Sequence, residues 1–218
     1  VCSGLEEQRL HNAKHAKLCD GERCLDEILL DGAEQLASDN QGNLVLVLHQ
    51  LGNHGPAYFR RYPEAFRRFT PTCDTQNLGQ CTQEQIINSY DNALVYTDHF
   101  LAKTLDFLQG QSKKYDTALV YVSDHGESLG ENNLFLHGMP YAIAPKEQTK
   151  VPMFMWFSPE YLRNFQLDQA CLKRIAKSPV SHDNIFHSVL GLLDVRTKEK
   201  EENFDLSTTC RKSQVSTD

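Results

Sequence analysis

The feature that most constrains this chain is the apolar, β-branched run at 117–123, which ends directly in Asp124, His125, Gly126 and Glu127. A run of that composition predicts a buried strand. Open α/β sheets place their ligand sites beyond the carboxyl ends of the strands. A carboxylate beside an imidazole offers one oxygen and one nitrogen to a cation such as Zn2+. We therefore predict Asp124 and His125 as zinc ligands and Glu127 as a residue that orients a ligand from behind.

Two more His-Gly pairs lie in irregular segments near predicted strands, His54-Gly55 after the run 43–49 and His137-Gly138 beyond Asp124. Glycine at such positions lets the backbone approach a ligand closely. We predict that His54 and His137 are catalytic and substrate-binding residues, which contact substrate oxygens, donate protons or hold a second metal ion. The alternative for each histidine is a loop residue that hydrogen-bonds only the backbone.

Length and charge limit the class of protein. A chain of 218 residues fits one large α/β domain. The net charge of −7 argues against nucleic-acid binding, which needs a basic surface. No apolar run approaches the roughly 20 residues that a membrane-spanning helix requires, and no signal-peptide pattern begins at Val1.

Seven cysteines indicate the redox compartment. Short polar loops closed by cysteine pairs are typical of disulfides formed in an oxidising compartment, and a third pair would then close a long C-terminal loop. The predicted pairs are Cys19 with Cys24, Cys73 with Cys81, and Cys171 with Cys210. Cys2 is left over, so we expect its partner upstream of this chain. The alternative is seven reduced thiols in a cytosolic protein.

A basic and aromatic cluster precedes the second cysteine pair. Its members are Arg60, Arg61, Arg67 and Arg68, interleaved with Tyr58, Phe59, Tyr62, Phe66 and Phe69. We favour an amphipathic helix with a charged outer face. The alternative is a contact with anionic lipid headgroups.

Apolar periodicity predicts the secondary structure. We expect helices at 24–38, at 63–69, from Thr82 to Gly110, after Pro159, and from Ser181 or Asp183 onward, with His182 capping that last helix or supporting a ligand. We expect strands at 44–49, 115–123 and 151–158. This order predicts an α/β fold with a mostly parallel sheet flanked by helices.

Long stretches of the chain resemble the lipid A phosphoethanolamine transferases, a family that includes the mobile colistin-resistance enzymes. The matching segments are HQLGNHGPAY at 49–58, SDHGESLGEN at 123–132, LHGMP at 136–140 and APKEQ at 144–148. The three cysteine pairs also resemble disulfides of that family. The resemblance implies an alkaline phosphatase/sulfatase-like fold, truncated at the N-terminus. Residues 1–218 would then be the C-terminal portion of a single periplasmic catalytic domain.

The resemblance also implies roles for the site residues. Asp124 and His125 match the family's zinc ligands, and His54 and His137 match histidines that contact the phosphoryl group or further zinc. Members of the family transfer phosphoethanolamine from phosphatidylethanolamine to a lipid A phosphate through a phosphorylated threonine. They work at the periplasmic face of the bacterial inner membrane, to which an N-terminal transmembrane domain attaches them. The modified lipid A has reduced affinity for cationic peptides such as colistin.

The family's nucleophilic threonine and a glutamate zinc ligand would lie upstream of Val1. We therefore expect this chain alone to be inactive and to hold zinc weakly. One alternative is another enzyme of the sulfatase superfamily, such as a phosphodiesterase or a glycerol-phosphate transferase. A second is a metal-binding module without catalysis, and a third is a fragment that folds only in part.

Overall fold

A computed structural model describes Gly4, residues 6–10 and residues 13–212, so the predictions for Cys2 and its partner lie outside the described residues. The chain divides into two compact units. The first unit consists of Val1–Phe107 and His125–Lys150, and the second of Leu108–Asp124 and Val151–Asp218. In the described part of the chain, no helix is both long and apolar enough to cross a membrane.

The first unit begins with two short helices instead of the single helix predicted at 24–38. A 3-10 helix covers Asp26–Leu30, and helix α1 covers Ala33–Asp39. Gly32 separates them with a φ of +75°, a left-handed conformation that a continuing helix does not allow. The prediction was wrong at this point because apolar spacing alone does not detect a glycine break.

The strand predicted at 44–49 does not form. The segment is extended and its exposure alternates from residue to residue, as in a strand, but it joins no ladder among the described residues. A strand requires a neighbour whose N–H and C=O groups pair with its own. Val45 and Val47 remain exposed as a result.

Helix α2, Gln83–Gly110, is the longest element of the described chain. Its start follows the prediction, since Thr82 and Gln85 form a reciprocal capping box: the Thr82 N–H donates to Gln85 Oε1 at 2.8 Å, and the Gln85 N–H donates to Thr82 Oγ1 at 3.3 Å. Apolar spacing predicts that Ile86, Ala93 and Leu94 lie on its core face, and of these Ile86 and Ala93 are buried. Leu94 is exposed, whereas Phe100 is fully buried.

The basic and aromatic cluster forms two 3-10 helices, Tyr58–Arg60 and Glu64–Phe66, rather than the amphipathic helix predicted at 63–69. Tyr58 and Tyr62 are buried and pack in the two apolar clusters of this unit. Arg67 contacts two carboxylates, those of Glu64 and Asp74, both at 3.0 Å. Tyr58 and Tyr62 therefore supply core, while Arg67 is held by local acidic groups.

A small antiparallel hairpin lies in residues 125–150, which belong to the first unit and connect the two parts of the second unit along the chain. Strand β2, Ser128–Leu129, pairs with β3, Phe135–Leu136, and helix α3 covers Lys146–Thr149. Further 3-10 helices cover Leu78–Gln80, Glu131–Asn133 and Thr208–Cys210.

The second unit is built on one antiparallel strand pair. Strand β1, Ala118–Val122, and β4, Met153–Phe157, pair in antiparallel register with Val120 opposite Met155. Both strands were predicted, but the parallel arrangement was not borne out among the described strands. The Ser123 N–H donates to the Pro152 carbonyl at 3.2 Å. The connecting segment thus returns the chain to the same end of β1, which makes the next strand run backward.

Three helices follow in the second unit: α4, Pro159–Asn164, α5, Gln169–Ile175, and α6, Asp183–Leu192. Ser158 caps α4 by accepting the Tyr161 N–H, as the proline signal predicted. Helix α5 was not predicted. Apolar spacing predicts a core face of α6 that consists of Ile185, Phe186, Val189, Leu190 and Leu193. This prediction was wrong in part, because Phe186 and Leu193 are exposed. Its buried apolar residue is Leu192, which packs with Tyr161 and Leu167.

All three predicted disulfides are present: Cys19–Cys24, Cys73–Cys81 and Cys171–Cys210. The first two close loops within the first unit. The third joins α5 to the C-terminal 3-10 helix of the second unit. Their formation agrees with an oxidising compartment.

The disulfides should differ in their contribution to stability. Cys171 and Cys210 are 39 residues apart, whereas Cys19 and Cys24 are 5 apart. By loop entropy, the longer link stabilises by about 4 kcal/mol and the shorter by about 2 kcal/mol. We expect the Cys171→Ala/Cys210→Ala variant to lose more free energy of unfolding in urea than the Cys19→Ala/Cys24→Ala variant. Equal losses would contradict this ranking.

Candidate metal and phosphoryl site

Three imidazoles from separate loops converge in the first unit. One ring nitrogen from each of His54, His125 and His137 lies within 4.8 Å of the others. The ring centroids of His125 and His137 are 3.8 Å apart, and that of His54 lies 5.6 Å and 4.8 Å from them. The structure thus brings together His54, His125 and His137, three of the five predicted site residues, and imidazole is a preferred ligand of zinc.

Hydrogen bonds fix the orientation of each ring. His54 and His125 each place Nδ1 against the backbone carbonyl of the following glycine, at 2.7 Å and 3.0 Å. Nδ1 of His137 contacts the Glu127 carboxylate at 2.9 Å. Because all three partners are oxygen acceptors, each Nδ1 is the donor of its contact, and Nε2 is the ring atom that a metal ion would use. This arrangement suits metal ligation through Nε2.

Glu127 is buried and connects two of the loops. Its carboxylate accepts hydrogen bonds from the Tyr58 hydroxyl, from the Gly55 N–H at 3.3 Å, and from His137. Burial raises the pKa of Tyr58, and the hydrogen bond to Glu127 raises it further. Tyr58 therefore stays protonated and acts as a donor. Glu127 makes the contact that an orienting residue requires, although its role toward a metal stays a prediction.

The loop that carries His54 is anchored by residues that sequence reasoning missed. The Asp26 carboxylate accepts the N–H groups of Leu51 at 2.9 Å and Gly52 at 2.7 Å. Burial raises the pKa of Asp26 in spite of these two donors. Arg61 donates from Nε to the His54 carbonyl at 2.8 Å. No local pattern connects Asp26 with a loop 25 residues later, so the sequence gives no signal for this anchor.

Helix α2 holds the same loop from another side. The Asn53 side chain donates to the Tyr90 carbonyl at 3.2 Å and accepts the Thr97 hydroxyl at 2.8 Å. The residue before His54 is thereby tied to two positions of a long helix that lie seven residues, or about two turns, apart. A site built on such a support keeps its geometry better than one on an unsupported loop.

Gly126 separates His125 from Glu127 where two backbones come close. Its N–H donates to the Gln148 carbonyl at 2.9 Å. A Cβ atom at this position would lie 2.0 Å from the Glu147 carbonyl oxygen. Glycine is therefore required at position 126 because another backbone segment lies close to it. The sequence pattern had suggested that a ligand, rather than backbone, comes close to the glycine.

Asp124 lies at the end of β1 in the second unit and is exposed. It is not a member of the three-histidine cluster, and its role as a zinc ligand stays a prediction. Close to it in the same unit, Nε2 of His182 contacts the Ser123 carbonyl at 2.8 Å. His182 thus contacts the backbone just after β1. It makes no side-chain capping hydrogen bond to α6, and its role in supporting a ligand stays a prediction.

The sulfatase family matches residues 2–195 of this chain. The chain belongs to the sulfatase family. It is 46% identical over 213 residues to phosphoethanolamine transferase EptA of Escherichia coli K12, which is 97% of this chain and 39% of that protein. It is 47% identical over 174 residues to phosphatidylethanolamine transferase Mcr-2 of Escherichia coli, covering 79% of this chain and 30% of the relative.

Solved structures agree with this sulfatase assignment. The fold matches lipooligosaccharide phosphoethanolamine transferase A from Neisseria meningitidis with a TM-score of 0.93 and 40% identity, both for its soluble domain and for the integral membrane protein. The match covers 97% of this chain, 64% of the soluble domain and 40% of the membrane protein. The α/β, sulfatase-like fold class is therefore confirmed. The chain spans well under half the length of its full-length relatives.

The close approach at Gly126 can be tested directly. We expect Gly126→Ala to lower the free energy of unfolding by about 1–3 kcal/mol, because the added methyl group meets backbone that must move. Urea unfolding followed by circular dichroism measures the loss. Gly42→Ala is the matched control in the same unit, since a Cβ at Gly42 meets nothing within 4 Å. A loss no larger than that of the control would contradict the close packing.

Proposed function

We propose that the protein to which this chain belongs is a zinc-dependent transferase that moves phosphoethanolamine from phosphatidylethanolamine to a lipid A phosphate. The observation that carries the proposal is the convergence of three oriented histidines in a chain of the sulfatase family. Its relatives EptA, a phosphoethanolamine transferase, and Mcr-2, a phosphatidylethanolamine transferase, indicate the transferred group. Because the chain spans only 39% of the E. coli relative, the activity is proposed for the full-length protein.

The donor set suits zinc. Imidazoles whose Nδ1 atoms already contact oxygen acceptors are an established ligand type for this ion. We assign His125, together with Asp124, as zinc ligands, and His54 and His137 as residues that contact the phosphoryl oxygens or hold further zinc. Bound zinc would polarise the phosphoryl group and neutralise its negative charge.

The side chains of the cluster have their own tasks in such a reaction. His54 and His137 hold the phosphoryl oxygens in place and can pass protons, since imidazole serves as both acid and base near neutral pH. Glu127 keeps His137 in one tautomer and one orientation. We place the nucleophilic threonine and the glutamate ligand in the remainder of the full-length protein.

We also propose that residues 1–218 are the C-terminal part of one periplasmic catalytic domain at the face of the inner membrane. The three disulfides support an oxidising compartment. The coverage of 64% of a solved soluble domain supports a larger domain. Modified lipid A would carry less negative charge and bind colistin less tightly.

Zinc binding tests the cluster on the chain itself. We expect His54→Ala, His125→Ala and His137→Ala each to weaken Zn2+ binding by roughly tenfold or more in calorimetric titration, because each removes an imidazole donor. His187→Ala is the control. Its ring lies in the second unit and accepts the Glu201 N–H at 2.9 Å. Three variants with unchanged affinity would exclude the cluster as the zinc site.

Transfer activity tests the reaction. We would replace the matching part of the E. coli relative with this chain and measure phosphoethanolamine on lipid A by mass spectrometry. We expect the chimera to transfer the group, and His54→Ala or His137→Ala to lower transfer roughly 100-fold or more. His187→Ala should leave it unchanged. A folded chimera that adds glycerol phosphate, or that binds zinc and adds nothing, would replace this proposal with one of the competing interpretations.

A further inference from the structure

An unusual concentration of exposed apolar side chains lies just after His137. Among the described residues, the two most exposed large hydrophobic side chains are Tyr141, at 86%, and Ile143, at 66%. Met139, at 37%, lies in the same short segment. We name residues 139–143 the apolar finger. Single exposed hydrophobic residues are common on protein surfaces, but grouped ones adjoining a candidate site indicate a binding surface.

The finger has an ordered backbone. The N–H groups of Ile143 and Ala144 both donate to the Pro140 carbonyl at 2.9 Å, which closes a tight turn. At its base, the Met139 N–H donates to Gln148 Oε1 at 3.3 Å. Gln148 is buried and donates in turn to Ser128 Oγ at 2.9 Å. The turn therefore presents Tyr141 and Ile143 outward from a fixed base.

The charges beside the finger are mainly positive. Lys146 follows it with a side chain that is 84% exposed, and Lys150 is also exposed. Glu147 lies between them, and its carboxylate is 3.8 Å from the Lys146 ammonium group. Tyrosine and aliphatic side chains flanked by lysines suit the headgroup region of a phospholipid bilayer, where rings sit at the interface and ammonium groups meet phosphates.

The size of the patch argues against a second copy of the chain as its occupant. A stable protein interface buries roughly 1,200–2,000 Å² in total. Three side chains on one turn supply only a fraction of that area. A bilayer sets no such minimum, since a few apolar side chains and lysines give reversible binding.

We propose that the apolar finger inserts into the headgroup region of the phospholipid bilayer and brings the three-histidine cluster to the lipid phosphate. The role in catalysis rests on the proposed function, because the donor and acceptor of that reaction are membrane lipids. The membrane contact itself does not, because it depends only on the finger. His137 lies two residues before the finger in the chain. The three-histidine cluster therefore lies next to the surface that the finger contacts.

Vesicle binding tests the contact without any turnover. The probe is a vesicle of phosphatidylethanolamine and phosphatidylcholine, and binding is measured by co-sedimentation. We expect Tyr141→Ser/Ile143→Ser to bind at least about fivefold more weakly than the native chain. The control is Val180→Ser/Phe186→Ser, which removes side chains 45% and 55% exposed in the second unit and should leave binding unchanged. Native chain that stays in solution, or a finger variant that binds as well, would overturn the proposal.

A milder variant guards against misfolding. We expect Tyr141→Trp to bind vesicles like the native chain and to show a blue shift in tryptophan emission on binding, beyond any change from Trp156, the chain's single tryptophan. An emission that stays unchanged while the protein binds would place the contact elsewhere. If the native chain instead self-associates without vesicles, and Tyr141→Ser/Ile143→Ser abolishes that association, the finger binds a second copy of the chain. This result would also overturn the proposal.

The chimera separates the two proposals. If both hold, the finger variant loses transfer from vesicle phosphatidylethanolamine and keeps transfer from a short-chain, dispersed donor, whereas His54→Ala loses both. If no chimera transfers from either donor while vesicle binding still depends on the finger, the proposed function fails and the membrane contact stands. Equal activity of native and finger chimeras on vesicles would remove the catalytic role of the finger.

Discussion

The arrangement of the site depends on one buried carboxylate. Glu127 accepts donors from a tyrosine, a backbone N–H and an imidazole that come from two other loops, those of Gly55 and His137. A buried charge is tolerated only with such partners, and leaving it without one is costly, of the order of 3–5 kcal/mol. The three donors therefore cannot separate independently. The loops that carry His54 and His137 are held together by the same group.

The same constraint arranges the site through contacts within the protein. Glu127 and two backbone carbonyls fix the hydrogen of all three imidazoles on Nδ1. The rings of His54, His125 and His137 thus take their orientation from contacts within the protein. Such preorganisation avoids the reorganisation that a flexible site would need on binding. The Asp26 and Asn53 anchors extend it to the loop behind His54.

Local features of the fold could be predicted from the sequence, and long-range ones could not. The capping box at Thr82 and the proline start of α4 depend on neighbouring residues, so the pattern suffices. The three His-Gly loops were found by their composition, and the three histidines do converge. The contact of Tyr58 with Glu127 joins residues 69 apart, and nothing local indicates it. The antiparallel pairing of β1 and the exposed face of α6 likewise depend on where distant segments pack.

The same carboxylate also determines where the apolar finger lies relative to the cluster. His137 is held through Nδ1 by Glu127, and the chain runs from it through Gly138, at a φ of +103°, directly into the finger. The Gln148 side chain accepts the Met139 N–H at the start of the finger and donates to Ser128, the residue after Glu127. The start of the finger is therefore fixed next to Glu127. A surface that the finger contacts is thus kept at a set distance from the imidazoles, as a reaction on a lipid headgroup requires.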